Sequence, residues 1–351
     1  MNIDGILAEA FLKKASDIHI TVGAPPIIRV HGNLIHLGEE KLTPDTIERV
    51  VRHITTPQQF EKLEQQGEVD FSYSLQGISR FRVNVFKQRG SYAIAFRVIP
   101  QEIPKFESLG LPSVIREFTK LSKGLVLVTG PTGSGKSTTL ASLIDIINTE
   151  RSVHIITLED PIEYLHKHKK SIVNQREIGS DSKSFAAALR AALREDPDVI
   201  LVGEMRDLET ISIALTAAET GHLVFSTLHT IGSAKTIDRI IDVFPPHQQQ
   251  QIRVQLSTVL QAVVSQQLLT RRDGAGRVVA CEVMIATPAI RNLIRENKTY
   301  QIQSIIQTSM KNGMITMEHS LVELYKKGLI TKEDVLTYSP DPDVVNKLLQ
   351  Y

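Results

Sequence analysis

Gly130-Pro131-Thr132-Gly133-Ser134-Gly135-Lys136-Ser137 decides how the rest of the chain is read. Its spacing is G-x-x-x-x-G-K-[ST], that of a loop wrapped around phosphate. Glycines let the backbone turn tightly, so that several N–H groups converge on one anion. Ahead of the loop, Gly124-Leu125-Val126-Leu127-Val128-Thr129 is short, apolar and β-branched, as a buried strand is. Behind it, Ser137 to Ile147 has helical apolar spacing. Strand, glycine loop and helix together confirm the motif, and the helix start adds its free N–H groups and dipole. Thr132, Gly133, Ser134, Gly135, Lys136, Ser137 and Thr138 are therefore the candidate nucleotide-binding residues. Lys136 would reach the β- and γ-phosphates of ATP, and the Ser137 hydroxyl would sit on Mg²⁺. A Gly/Ser-rich turn before an ordinary helix would need no Lys-Ser at its end.

The chain has 351 residues, with 42% hydrophobic and 23% charged, the balance of a globular protein of two or three domains. A formal net charge of +1, no Trp and 5% aromatics argue against a nucleic-acid partner. The lone Cys281 makes neither an intrachain disulfide nor a cysteine-based zinc site, as expected in a reducing cytoplasm. No apolar run approaches the ~20 residues of a membrane span. The opening Met1-Asn2-Ile3-Asp4-Gly5-Ile6-Leu7 has neither the basic leader nor the long apolar core of a signal peptide.

Residues 1–99 read as an α+β domain. A helix over 1–16 precedes a strand at Asp17–Val22 and a hairpin about His31-Gly32-Asn33. Thr43-Pro44 starts a helix that runs to about His53, and a second runs from Pro57 to Gly67. Strands follow at Val69–Leu75, Arg80–Phe86 and Tyr92–Ile99. In the last two, alternation puts Arg82 and Arg97 on faces that can belong to one sheet. By themselves they read as two solvated arginines. Three prolines and little periodicity make 100–112 a linker. From Ser113 onward strands alternate with helices, which predicts an α/β domain over 113–351 with a largely parallel sheet.

Val153 to Leu158 is an apolar strand that runs into Glu159, Asp160 and Glu163. Ligands bind beyond the carboxyl ends of such strands. If this strand lies beside the phosphate-loop strand, its three carboxylates face the γ-phosphate. Val199-Ile200-Leu201-Val202-Gly203-Glu204 is a second strand ending in acid, which suits Glu204 to a metal's water shell or to orienting water. Asp207 reads as the cap of the next helix. Leu223 to Leu228 is a third strand, flanked by His222 and His229. Two histidines without a third ligand make a weak zinc site. His229 suits a polar role at the γ-phosphate end, and His222 a structural one. Residues 247–270 read as one long helix and 271–277 as a basic turn before a strand at Val278–Ile285. The region 288–351 opens with Pro288-Ala289-Ile290-Arg291-Asn292-Leu293-Ile294-Arg295-Glu296, a packing helix with Arg291, Arg295 and Glu296 on its solvated side.

Four of these stretches together resemble the secretion-type hexameric ATPases: the phosphate loop (Walker A), Ile156–Glu163 (Asp box), Leu201–Asp207 (Walker B) and Gly221–Thr230 (His box). Ala289–Glu296 resembles a motif of the type IV pilus retraction branch, and the likeness spans essentially the full chain. The resemblance implies a PAS-like N-terminal domain, a RecA-like P-loop ATPase domain, a homohexameric ring and ATP with Mg²⁺ bound between the two domains. It implies that Glu163 is the catalytic glutamate, that Glu204 acts with Mg²⁺ through water and that His229 senses the γ-phosphate. Arg82 and Arg97 match arginines that reach the phosphates, which reverses their bland reading, and 100–112 becomes a hinge. The implied partners are an inner-membrane pilus platform protein and, through it, the pilus. The implied location is cytoplasmic, at the inner face of the cytoplasmic membrane. Pilus assembly and type II secretion ATPases typically carry a longer N-terminal region and a four-cysteine zinc motif, and this chain has Cys281 alone. A RecA-like nucleic-acid translocase and a nucleotide-gated scaffold without turnover are the alternatives from other classes.

Overall fold

The computed structural model describes residues 1–30, 32–100 and 102–350. His31 of the expected hairpin turn, and Gln101 of the expected linker, lie outside the described residues. The chain divides into two compact units: residues 1–102 with Glu163–Leu165, and residues 103–162 with 166–351. The segment expected as a linker straddles that division. Residues 103–112 group with the second unit, where Phe106 is buried in the core.

The first unit is α+β. Helix α1 (Ile3–Leu12), strands β1 (Asp17–Ile20), β2 (Ile27–Val30) and β3 (Asn33–His36), and helices α2 (Pro44–Ile54) and α3 (Pro57–Gln66) precede β4 (Glu68–Leu75), β5 (Ser79–Gln88) and β6 (Ser91–Val98). The helix starts follow from local chemistry. Thr43 and Thr56 accept from the backbone N–H groups of Thr46 and Gln59, each with a proline at the first helical position. The strands form an antiparallel sheet in the order β3-β2-β1-β6-β5-β4. Alternation in β5 buries Phe81, Val83 and Val85 completely and leaves Arg82 exposed.

The second unit is α/β. Helix α4 (Val114–Glu117) leads to β7 (Gly124–Thr129), α5 (Lys136–Glu150), β8 (His154–Glu159), β9 (Ile172–Glu177), α6 (Phe185–Ala192), β10 (Val199–Val202), α7 (Leu208–Glu219) and β11 (Leu223–Leu228). Then come α8 (Ser233–Asp242), α9 (Pro246–Val259), β12 (Leu260–Thr270) and β13 (Arg277–Ile285). Helices α10 (Pro288–Arg295), α11 (Ile302–Thr308), α12 (Met317–Lys326), α13 (Lys332–Tyr338) and α14 (Pro342–Leu348) complete it. The sheet order is β13-β12-β7-β11-β10-β8-β9, with β7 to β12 parallel and β13 antiparallel to β12. Apolar side chains cover both of its faces, as a parallel sheet requires.

Two expectations are corrected here. Strand β8 does not lie beside β7, because β11 and β10 stand between them. The condition that would bring Glu159, Asp160 and Glu163 up to the phosphate loop through adjacent strands is therefore not met. The long helix expected over 247–270 ends at Val259, and residues 260–270 form a strand between β7 and β13. That strand is buried on both faces, so its sequence lacks the alternation that marks a half-exposed one.

Candidate active site

The phosphate loop leaves the carboxyl end of β7 and enters α5 at Lys136. Gly133 and Gly135 hold positive φ of 79° and 89°, as a loop that aims N–H groups inward needs. Gly130 meets a different limit. A Cβ there would lie 2.2 Å from the carbonyl oxygen of Gln266, so only glycine lets β12 press against the start of the loop. Lys136 is 8% exposed, and its ammonium donates to the carbonyls of Gly130 (2.9 Å) and Pro131 (3.0 Å). The Ser134 hydroxyl is buried with no hydrogen-bond partner among the described residues. A buried orphan hydroxyl is costly in a finished interior and sensible in a cradle for a polar ligand. The Ser137 side chain lies exposed in the first turn of α5.

Next to β7 comes β11, whose Leu228 carbonyl accepts from Gly130 N–H at 3.3 Å. His229 follows it directly. Beyond β11 comes β10, followed by Gly203 and Glu204. The turn carrying Glu204 is tied to both neighbouring strands. Gly203 N–H donates to Leu158 O (2.7 Å), Thr227 Oγ1 donates to Gly203 O (2.6 Å), and Met205 N–H donates to Thr227 O (3.2 Å). So held, Glu204 places one carboxylate oxygen 2.8 Å from Arg206 Nε and the other 3.5 Å from His229 Nε2. The three line a cavity of about 360 Å³ together with Arg239, Thr227 and Thr230. The structure thus brings Glu204 and His229 together at the strand end nearest the loop.

Glu159 accepts from Thr157 Oγ1 (2.6 Å) and Gln175 Nε2 (3.1 Å), bonds within the β8–β9 pair. Glu163 is exposed and groups with the first unit. Arg82 and Arg97 stand directly opposite each other on β5 and β6, both exposed. Like charges so placed repel, and they favour an anion over that face. Arg97 also pairs with Asp17 at 2.9 Å. Burial pushes the Asp17 carboxyl up, but the bonds from Arg97 and Ser16 outweigh it and hold it below the ordinary range. Asp207 caps α7, and the His222 ring lies 2.9 Å from Ala217 O, a structural contact.

Three groups at the site were missed by the sequence reading. Arg206 pairs with Glu204. Thr227 anchors the Glu204 turn. The buried side chain of Gln266 donates to Ser134 O (2.7 Å) and accepts from Thr139 Oγ1 (3.1 Å), which bridges the loop to α5. Reading 247–270 as a helix hid Gln266. The β-branched pair Val263-Val264 was the available signal for a strand.

Similarity to known proteins agrees with this fold. Residues 1–337 match the model of the Type II/IV secretion system protein family. A "Type IV pilus retractation ATPase PilT" of Pseudomonas aeruginosa is 49% identical over 343 residues, covering 98% of this chain and 99% of that protein. A "Twitching motility protein" of Neisseria gonorrhoeae is 51% identical over 328 residues, 92% of this chain and 88% of its own length. Among solved structures, a pilus retraction motor PilT with bound ADP superposes with a TM-score of 0.93 at 55% identity, over 99% of both chains. With an α+β unit and a RecA-like unit bearing a phosphate loop, and relatives that match it end to end, the chain belongs to the Type II/IV secretion system protein family.

Proposed function

We propose that this protein is a ring-forming ATPase that hydrolyses ATP to drive retraction of a type IV pilus, and with it twitching motility. The observation that carries the reading is the phosphate loop and Glu204–His229 pair in a chain that an ADP-bound pilus retraction motor matches over 99% of its length. The loop residues Thr132 to Thr138 hold the nucleotide phosphates. Lys136, already drawn out of water, supplies positive charge where the transition state gathers negative charge on the γ-phosphoryl oxygens. Ser137 and Glu204 offer the hard oxygen donors that suit Mg²⁺, one exposed in the first turn of α5 and one at a strand end. Mg²⁺, when bound, neutralises charge on the β- and γ-phosphates. Glu163 takes the role of orienting and deprotonating water, and His229 that of sensing the γ-phosphate. Arg82 and Arg97 supply further positive charge to the nucleotide, a role supported by their exposed, opposed placement. The hinge between ATPase and N-terminal domain, expected over 100–112, is assigned to the point in the chain where the two units divide, at Glu102-Ile103.

No helix among the described residues is long and apolar enough to cross a membrane. We therefore assign contact with the pilus to an inner-membrane platform protein, with the ring, a homohexamer, on its cytoplasmic side.

Replacing Glu163 with Gln tests the reading. The variant should bind ADP as the wild type does while turnover falls by about 10²–10⁴-fold, the range of a lost general base. In cells it should keep its pili and lose retraction. Normal hydrolysis by the variant would remove Glu163 from catalysis, and loss of the pili themselves would point to assembly instead.

A further inference from the structure

Strands β12 and β13 pair in a register that sets Ser265 opposite Glu282 and Gln266 opposite Cys281. Ser265, Gln266 and Glu282 are 0%, 1% and 3% exposed. Their side chains reach out of the hairpin to the phosphate loop, to α5 and to the turn after His229, and Glu282 is also bonded by Gln303 of α11. Gln266 bridges Ser134 O of the loop and Thr139 Oγ1 of α5. Ser265 Oγ accepts from Gly232 N–H at 2.9 Å. One carboxylate oxygen of Glu282 accepts from both the N–H and the hydroxyl of Ser233, each at 2.7 Å. Gly232 and Ser233 begin α8, and His229 lies just upstream in the same turn. The turn is closed further by Thr230 and Thr236, whose hydroxyls lie 2.7 Å apart.

A carboxyl at this depth is expensive to keep. Burial pushes Glu282 above the ordinary carboxylate range, against the bonds from Ser233 and Gln303 that pull it down, and the nearby buried Glu318 adds to the rise. An apolar residue would fill the same space without that cost, yet it would leave two Ser233 donors unsatisfied.

We propose that Gln266 and Glu282 are positioning residues for ATP turnover. Gln266 sets the shape of the phosphate loop, and Glu282 sets the turn that carries His229. One hairpin thereby fixes both sides of the phosphate site. The inference rests on the ATPase reading above. It adds residues that act on the loop and on His229 without touching the nucleotide. The hairpin is in turn held by the C-terminal region: Cys281 N–H donates to Ser320 Oγ of α12, and Val283 bridges Ile315.

The test uses the full-length chain with three near-isosteric variants, which limits loss of folding: Gln266→Met, Glu282→Met and Glu282→Gln. ADP affinity is read by calorimetry, and kcat and KM by steady-state ATP hydrolysis. Gln266→Met should weaken ADP binding and raise KM about tenfold, with kcat held within about threefold. Glu282→Met should lower kcat about tenfold with ADP affinity within about threefold, because it loosens the His229 side and leaves the Gln266 bonds to the loop in place. Glu282→Gln keeps an acceptor for both Ser233 donors and should recover most of kcat. The proposal is overturned if both Met variants match the wild type in kcat, KM and ADP affinity. It is overturned equally if all parameters fall together and Glu282→Gln gives no recovery, the mark of a merely structural role. A wild type that binds no ADP overturns the ATPase reading itself, which separates the two failures.

Discussion

Asp207 shows how much one side chain at this site does. Its carboxylate accepts from Thr210 N–H and Thr210 Oγ1, both at 2.8 Å, and so caps α7 directly after the Glu204 turn. Burial raises its affinity for a proton, but the bonds from Thr210 outweigh that and hold its pKa below the ordinary value. A carboxylate whose folded-state pKa is depressed stabilises the fold above its unfolded pKa. That contribution is lost as pH falls through the lower folded value. Asp207→Ala should therefore cost about 1 kcal/mol at neutral pH, the usual value of a lost cap. The gap to wild type should narrow as pH falls from about 4, where the carboxyl of the unfolded chain takes its proton, toward the lower folded value. Urea midpoints of the two proteins at neutral and acid pH measure it, and a gap independent of pH would refute the capping account.

At the scale of the element, α10 carries two roles that sequence pattern alone blends. Ile290 and Ile294 are fully buried. Arg291 was expected on the solvated side, yet it donates to Ser257 O (2.6 Å), Thr258 O (2.7 Å) and Gln261 Oε1 (3.2 Å). It thus satisfies carbonyls at the end of α9, where a helix has none of its own donors left. Ile290→Ala should cost about 2–5 kcal/mol as a cavity in the core. Its melting temperature should drop by about 2–4 °C per kcal/mol. Arg295, exposed on the same helix, should leave the melting temperature unchanged when replaced by Ala. A retraction defect in Ile290→Ala cells therefore reports on stability as well as on the motor, whereas a defect in Arg295→Ala cells reports on the exposed face. A melting temperature for Ile290→Ala equal to wild type would contradict the burial argument. The same element scale shows why β12 was misread. Its residues 260–270 are buried on both faces, Ser265, Gln266 and Gln267 included, so polar and apolar residues do not alternate and the preceding helix pattern runs on into it.

For the whole molecule, ligand linkage gives the sharpest expectation. ADP at about 100 times its Kd adds about 2.7 kcal/mol to the state that binds it. Thermal unfolding should rise by several degrees with ADP, and Lys136→Ala should abolish the rise. An equal shift in that variant would mean that the nucleotide binds elsewhere. Native mass measurement should find six copies of the chain in one particle, and a stable monomer with full ATPase activity would exclude the ring as the working form.

What the sequence determined by itself is local. The glycine loop, the Thr43, Thr56 and Asp207 caps and the alternation in β5 follow from turn chemistry and side-chain period within a few residues. So do the identities of Glu204 and His229 as polar residues at strand ends. Tertiary structure decided which segments became neighbours. It placed β11 rather than β8 beside the phosphate-loop strand, turned 260–270 from helix into strand, and brought Gln266 to Ser134 across 132 positions of sequence. The reason is physical. A strand buried on both faces lacks the polar–apolar alternation of a half-exposed one, so its pattern does not say which strand it pairs with. The choice of partner rests on packing and hydrogen bonds between distant segments, and only the folded chain brings those groups within reach of one another.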